Sequence, residues 1–276
     1  DLIIGGPPCQ AYSIVGRARS ENGMVGDKRN YLYKLYAEFL RRYQPHYFVF
    51  ENVTGLLSAK DEDGSLHFNN MRALFEDCGY QTLYKVLNAK DYGVLQNRKR
   101  IILIGKCNAA DENFYPDIPI IRNDGIKVNE IFSDLPFLHA GEGTPEPVPT
   151  LPYTGTYLYD AGIKQFDLEP VSFHCARPHI DQDLTIYKLV VEAWNDNHKR
   201  VRYTDLPENL QTHKNKSSFL DRFKVVAGAE PYSQTVVAHI SRDGHYYIHP
   251  DIAQNRSLTP REAARLQTFP DNYYFE

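Results

Sequence analysis

Strand and helix patterns alternate along the first hundred residues, and this alternation limits the possible folds more than any other feature of the sequence. Apolar runs bounded by glycine, proline or polar residues predict strands, and apolar residues at spacings of three and four predict helices. Such alternation is typical of parallel βαβ units, so we expect half of an open α/β sheet. Strands are predicted at 1–4, 47–50, 80–87 and 100–106, and helices at 32–43 and 68–78.

Cys9 stands at the end of the first predicted strand, directly after Pro7 and Pro8. A nucleophilic thiolate needs an exposed, electropositive site, and the loop that follows Cys9 is polar, contains glycine and carries several basic residues. Such a loop can close over a substrate as a mobile lid. The alternative is that Cys9 is a small buried hydrophobic residue.

Glu51 leaves the second predicted strand in the sequence "ENV". A carboxyl group at the end of an apolar strand is partly desolvated and can serve as a proton donor. The alternative is an ordinary loop or helix-capping acid. Because both Cys9 and Glu51 follow strands, we expect them at the same edge of the sheet.

The segment "QNRKR" at 96–100 leads into the last predicted strand. Strand alternation would direct Gln96, Arg98 and Arg100 to one face and the two residues between them to the other. Two arginines on the face that holds a cysteine and a glutamate suggest an anionic or carbonyl-bearing substrate. A surface cluster of salt bridges is the alternative.

Composition is that of a globular protein, with 42% hydrophobic and 24% charged residues in a chain of 276. No apolar run is long enough to span a membrane. The four cysteines are scattered without a CxxC pair, which suits a reducing cytosol. The net charge of -4 hides local differences, since 89–106 is basic, 107–170 is acidic and 177–224 is mixed with a small basic excess.

Beyond residue 107 the alternation stops, and a Pro/Gly-rich stretch at 141–155 predicts a domain boundary or a long irregular insert. One helix is predicted there from an apolar stripe, with Trp194 as part of the helix core rather than a stacking platform. The stripe of this helix consists of Leu184, Tyr187, Val191 and Trp194.

Near the C-terminal end, Thr259, Pro260 and Glu262 form the sequence signature of a capped helix reaching about 269.

His174, Cys175 and His179 raise the possibility of a metal site. No second pair of ligands follows at the spacing of a zinc finger, so we predict no metal.

Five blocks of the sequence together resemble the cytosine-C5 DNA methyltransferase family, in its order and approximate spacing. The resemblance implies a partial doubly wound Rossmann-like methyltransferase sheet at 1–106, a smaller irregular target-recognition domain at 107–230 and a return to the catalytic domain at 231–276. The blocks are "GPPCQAYS" at 6–13, "DKRNYL" at 27–32, "ENV" at 51–53, "LNAKDYGVLQNRKR" at 87–100 and "RSLTPREAARLQTFPDNY" at 256–273.

The resemblance also implies a catalytic role for four residues. Cys9 would add to C6 of cytosine, and Glu51 would hold N3 and the exocyclic amine of the ring. Arg100 would contact the ring carbonyl oxygen, and Arg98 would steady the lid and a phosphate. Because C6 is hidden in the base stack, the target base must be flipped out of the duplex.

Three further residues are implied as DNA contacts. Ser13 and Arg19, in the lid, would contact the backbone of double-stranded DNA, and Thr235 would contact a phosphate. The enzyme implied is a DNA (cytosine-5)-methyltransferase of a prokaryotic restriction-modification system or of orphan type, in the cytoplasm at the nucleoid.

The implied cofactor is S-adenosylmethionine. In the family a glycine-rich turn before the cysteine strand and a closing asparagine-containing block build most of the cofactor pocket, and neither is present here. Pro8 and Leu32 are then the expected cofactor contacts, and we expect the chain as given to bind the cofactor weakly or not at all. It would be a truncated enzyme or the partner of a second polypeptide.

Two alternatives to DNA methylation stay open. One is tRNA cytosine-5 methylation, although the long insert and Ser13 favour DNA. The other is a DNA-binding module without catalysis, suggested by the missing cofactor half. A thiol-redox protein is disfavoured because Cys9 has no resolving cysteine nearby.

Overall fold

The computed structural model describes residues 1–8, 31–108, 113–213, 216 and 220–275. The chain forms two compact units, the first made of 1–88 and 99–120 and the second of 89–98 and 121–276. Among the described residues the strands are β1 (Leu2–Gly5), β2 (Tyr47–Val53), β3 (Tyr80–Asn88), β4 (Lys99–Cys107), β5 (Gly143–Thr144) and β6 (His174–Cys175). The α-helices are α1 (Leu32–Tyr43), α2 (His67–Asp77), α3 (Tyr157–Asp160), α4 (Asp181–Asn197) and α5 (Pro260–Arg265).

The first unit contains a four-stranded sheet with the strand order β1-β2-β4-β3. β1 and β2 run parallel, and β4 is antiparallel to both of its neighbours, so β1, β2 and β3 share one direction. The α/β prediction is confirmed, but the parallel arrangement expected from βαβ units is wrong for β4. β4 is antiparallel to β3 because the connection between them at 89–98 is short, and parallel neighbours need a longer crossover.

Helices α1 and α2 pack their apolar faces on this sheet, as the sequence spacing predicted. α1 buries Ala37 and Leu40, and α2 buries Met71 and Phe75, in a cluster that includes Phe48 of β2. Residues three or four apart lie on one side of a helix, which is why these pairs reach the same core. The sheet and two helices thus make a rigid base for the ends of β1, β2 and β4.

The second unit has little regular structure, consistent with the loss of alternation after residue 107. Its longest helix is α4, where the predicted stripe is largely correct, with Tyr187 and Val191 fully buried. Trp194 packs against this core, as predicted, but at its margin. It is half-buried at the edge of the α4 cluster, where the helix approaches its end.

The capping box of α5 is present as predicted. The Thr259 hydroxyl accepts from the Glu262 amide at 3.1 Å, and the Glu262 carboxylate accepts from the Thr259 amide at 2.7 Å. The helix ends at Arg265 and not near 269. Its extension is replaced by tight turns in which Thr268 has a left-handed φ of 59°.

No helix in the described part of the chain is both long and apolar enough to cross a membrane.

Candidate functional site

The register of β2 and β4 brings a carboxylate and a guanidinium group together. Val53 pairs with Arg100 and Glu51 with Ile102, so Glu51 and Arg100 are diagonal neighbours on one face of the sheet. Arg100 Nε lies 2.7 Å from Glu51 Oε1. The two side chains form a charge-assisted hydrogen bond near the carboxyl end of β2.

Both members of this pair remain accessible. The Glu51 side chain is 39% exposed and that of Arg100 is 18% exposed. Arg100 also donates through Nη1 to the carbonyl of Lys99 at 2.8 Å. A guanidinium group carries five N–H donors and a carboxylate accepts several hydrogen bonds, so the pair can bind a polar planar group without being dismantled.

The segment after β1 lies against Glu51. A Cβ on Gly6 would stand 3.0 Å from Glu51 Oε2, so any larger side chain there would press on the carboxylate. Behind it, the buried Asn52 donates through Nδ2 to the Pro7 carbonyl at 3.2 Å. The chain that leads to Cys9 is therefore fixed beside the glutamate. Cys9, Ser13 and Arg19 themselves lie outside the described residues.

Tyr36 of α1 packs against the end of β1. Its hydroxyl donates to the Val49 carbonyl at 3.0 Å. The ring lies so close to Gly5 that an added Cβ would meet Tyr36 Cε2 at 2.5 Å. A glycine is required at this position because the tyrosine ring occupies the space of a side chain.

The alternation expected across Gln96, Arg98 and Arg100 is wrong, because β4 begins only at Lys99. Gln96 is buried and donates to the Leu266 carbonyl at 3.1 Å. Arg98 donates to a backbone carbonyl at 3.4 Å, within the second unit. Arg100 belongs to the first unit.

Thr235 lies beside the same connecting segment. The backbone at 95–97 bonds to Ser233, with Asn97 N donating to the Ser233 carbonyl at 3.0 Å. The Thr235 hydroxyl donates to the Asn97 carbonyl at 2.7 Å. The single hydroxyl proton is thus used within the protein.

The two residues expected to touch a cofactor are both accessible. Pro8 is exposed, and Leu32 is half-buried at the first turn of α1. They offer apolar surface and no hydrogen-bonding side chains. This donor set fits the apolar face of S-adenosylmethionine but supplies no partner for its ribose hydroxyls or its charged methionine end.

Sequence reasoning missed a buried ion cluster around α5. Arg265 is fully buried between Asp134 and Asp271, with Nε donating to Asp271 at 2.8 Å, and Lys164 donates to Asp134 at 2.7 Å. Burial alone would raise the pKa of Asp134, but Arg265 and Lys164 hold it below its ordinary value. The only signal in the sequence was a helix with two arginines and an acid, which also describes an exposed helix.

A second part of this cluster is centred on Glu262. Its carboxylate receives both terminal nitrogens of Arg256, at 2.8 and 2.7 Å. Against the effect of burial, Arg256 lowers the pKa of Glu262 to about 2. The "RSLTPREAAR" block is thus a packed ionic core.

The two histidines among the candidate metal ligands are hydrogen-bonded to protein groups. His174 Nε2 lies 2.8 Å from the Pro136 carbonyl, and His179 Nε2 lies 2.9 Å from the Ser257 hydroxyl. Across the part of the chain that the structure describes, no group of three or more His, Cys, Asp or Glu residues is placed to hold a metal ion.

Comparison with known proteins gives this architecture its class, the methyltransferases. A profile of the family described as C-5 cytosine-specific DNA methylase matches residues 1–276, and the chain belongs to this family. The resemblance inferred from the five sequence blocks is confirmed.

Three relatives illustrate the similarity. A Type II methyltransferase of Bacillus paralicheniformis is 42% identical over 100% of this chain and 64% of its own length. One of Desulfomicrobium norvegicum is 29% identical over 100% and 64%. A solved structure from E. coli, a putative DNA modification methyltransferase encoded within a prophage, is 25% identical with a TM-score of 0.60, covering 100% of this chain and 70% of that one. The chain thus spans a little under two thirds of the two Type II relatives.

Proposed function

We propose that the chain carries the catalytic and DNA-recognition parts of a DNA (cytosine-5)-methyltransferase of restriction-modification or orphan type. It transfers a methyl group to C5 of a cytosine flipped out of duplex DNA, through a covalent bond between Cys9 and C6. Family membership and the relatives named Type II methyltransferases support this function. The working place of such an enzyme is the bacterial nucleoid, in the cytoplasm.

The observation that carries the proposal is the contact of 2.7 Å between Glu51 and Arg100 beside the segment leading to Cys9. The Cys9 thiolate adds to C6, and the electrons of the C5–C6 double bond move to C5. Glu51 binds N3 and the exocyclic amine, which favours the ring form that accepts the thiolate. Arg100 donates to the ring carbonyl oxygen.

S-adenosylmethionine, when bound, supplies an electrophilic methyl group to C5. Pro8 and Leu32 would hold its apolar face. Once C5 is methylated, transfer of the C5 proton to solvent water re-forms the C5–C6 double bond and expels the Cys9 thiolate, which regenerates the enzyme. A second polypeptide has no support among the relatives and is not part of the proposal.

The remaining site residues take DNA-binding roles in this proposal. Arg98 steadies the lid and a phosphate, Ser13 and Arg19 contact the backbone from the lid, and Thr235 contacts a phosphate. For Thr235 this requires its hydroxyl to leave the Asn97 carbonyl. Residues 107–230 read base edges in the major groove, and 231–276 return to the catalytic domain.

Covalent trapping tests the proposal. The full-length protein is incubated with S-adenosylmethionine and duplex DNA in which 5-fluorocytosine replaces cytosine, because fluorine at C5 prevents the final proton loss. A band that resists denaturant is expected for the wild type and for the matched control Cys107→Ser, and no band for Cys9→Ser. A band that survives in Cys9→Ser would refute the nucleophile, and a band formed only with tRNA would refute the DNA substrate.

A further inference from the structure

The second unit contains a groove of about 480 Å³ outside the Glu51 and Arg100 site. Its walls come from the end of α4, the segment 199–201 and the segment 223–235, with Asn97 at one end. Its lining combines cations, aromatic rings and hydroxyl groups, which is the mixture that surfaces for nucleic acid use. The residues that matter below are Trp194, Lys199, Arg200, Lys224, Tyr232 and Thr235.

Lys224 is held rigidly at this groove. Phe223 and Val225 on either side of it are buried, the Lys224 side chain is half-buried, and all three residues line the groove. The Lys224 amide donates to the His245 carbonyl at 2.8 Å, and its own carbonyl accepts from Ile248 at 3.0 Å. The backbone of Lys224 is therefore held in place by hydrogen bonds through both its amide and its carbonyl group.

The Lys224 ammonium has no hydrogen bond or salt bridge to any of the residues that the structure describes. Arg200, in contrast, lies 3.1 Å from Asp221. Burial and the nearby Arg200 lower the pKa of Lys224. Asp221 opposes this effect in part. A half-buried cation that no carboxylate contacts directly is costly, and an anion entering the groove would relieve that cost.

The charge of the groove favours an anion. Lys199, Arg200 and Lys224 line it, against Glu230 alone among acids. Arg200 is paired with Asp221, and the Thr235 hydroxyl must first leave the Asn97 carbonyl, whereas the Lys224 ammonium can donate without breaking such a contact. A lysine acts as a point charge with three donors, which suits a phosphate oxygen better than the planar edge of a base.

We infer that this groove binds a backbone phosphate of duplex DNA, with Lys224 as its principal donor. Trp194 and Tyr232 form the wall against which the neighbouring deoxyribose packs. The inference rests on the proposed function and adds to it a phosphate contact within the recognition region. Lys224 positions the DNA strand and does not read its sequence.

The test measures DNA binding by fluorescence anisotropy with the full-length protein. Two short duplexes of unrelated sequence are titrated over a series of salt concentrations with the wild type, Lys224→Gln and Lys188→Gln. Lys188 is an exposed lysine of α4 that does not line the groove, so its loss removes the same charge elsewhere. We expect Lys224→Gln to weaken binding of both duplexes about tenfold. The slope of log affinity against log salt should fall by about 0.9.

Lys224→Arg should restore the salt slope, which a purely structural role for the lysine would not do. An unchanged slope in Lys224→Gln, equal to that of Lys188→Gln, overturns the inference. A loss confined to one duplex with the slope unchanged also overturns it, because it indicates base readout. The trapping assay separates the two proposals. If the wild type traps DNA but the salt slope of Lys224→Gln is unchanged, the proposed function stands and the phosphate contact is refuted. If the wild type never traps DNA but the salt slope falls in Lys224→Gln, the phosphate contact stands and the proposed function is refuted.

Discussion

Two regions of the molecule pair carboxylates with guanidinium groups, one pair partly exposed and the other fully buried. Glu51 and Arg100 are 39% and 18% exposed, whereas Arg265 and its partner Asp134 are both 0% exposed. An exposed pair contributes about 0–1 kcal/mol to stability, and loss of one member of a buried pair costs about 3–5 kcal/mol. The same residue types therefore remain accessible to a ligand in one place and stabilise the fold in the other.

The largest expected effect is on the buried side of this comparison. Arg265→Met leaves Asp271 without its guanidinium partner and Asp134 with Lys164 alone. We expect a loss of about 3–5 kcal/mol in the free energy of unfolding, measured by urea denaturation. The matched control is Arg242→Met, at an exposed arginine of the same unit, which should change it by less than about 0.5 kcal/mol. Equal effects of the two substitutions would remove the distinction between the regions.

The next effect falls on the exposed pair. Gly6→Ala places a Cβ 3.0 Å from Glu51 Oε2 and displaces the carboxylate from Arg100. Because small misplacements of catalytic groups are costly, we expect the methylation rate to fall about 10- to 100-fold. DNA affinity and melting temperature should stay near those of the wild type. Wild-type methylation by Gly6→Ala would show that this contact does not matter to the reaction.

The smallest effect concerns pH and the buried cluster around Glu262. Burial lowers the pKa of His249 from 6.5 to about 4. Between these values the unfolded chain binds a proton that the folded chain excludes, so this contribution is complete above about pH 6.5 and is lost as the pH falls. From about pH 7 to about pH 5 the loss attributable to His249 is on the order of 1–2 kcal/mol.

Urea denaturation of His249→Gln at the two pH values checks this prediction. The variant should lose less stability on acidification than the wild type, by the amount attributed to His249. The same acid sensitivity in both proteins would mean that His249 is not held neutral by the fold.

The sequence predicted those elements whose patterns are local. Strands β1 and β2, helices α1 and α2 and the Thr259 cap follow from apolar spacing and capping chemistry within a few residues. The direction of β4 and the burial of Arg265 depend on partners far along the chain, which a single sequence does not reveal. The end of α5 was overestimated because the turn at Thr268 has no glycine or proline to mark it.

The candidate site was predictable only in part. Strand ends in an α/β sheet indicated where Glu51 would lie, and the "QNRKR" block indicated a nearby arginine. The block could not tell Arg100 from Arg98, because that depends on where β4 begins. The groove at Lys224 has no sequence motif, since its walls come from segments distant along the chain.

The most direct measurement is the rate of covalent trapping by Glu51→Gln, taken together with its free energy of unfolding. If the exposed pair acts on the substrate, trapping on 5-fluorocytosine DNA slows by about 10²–10⁴-fold while stability changes by less than about 1 kcal/mol. Wild-type trapping by a variant that has lost several kcal/mol of stability would place Glu51 with the buried clusters and contradict the account.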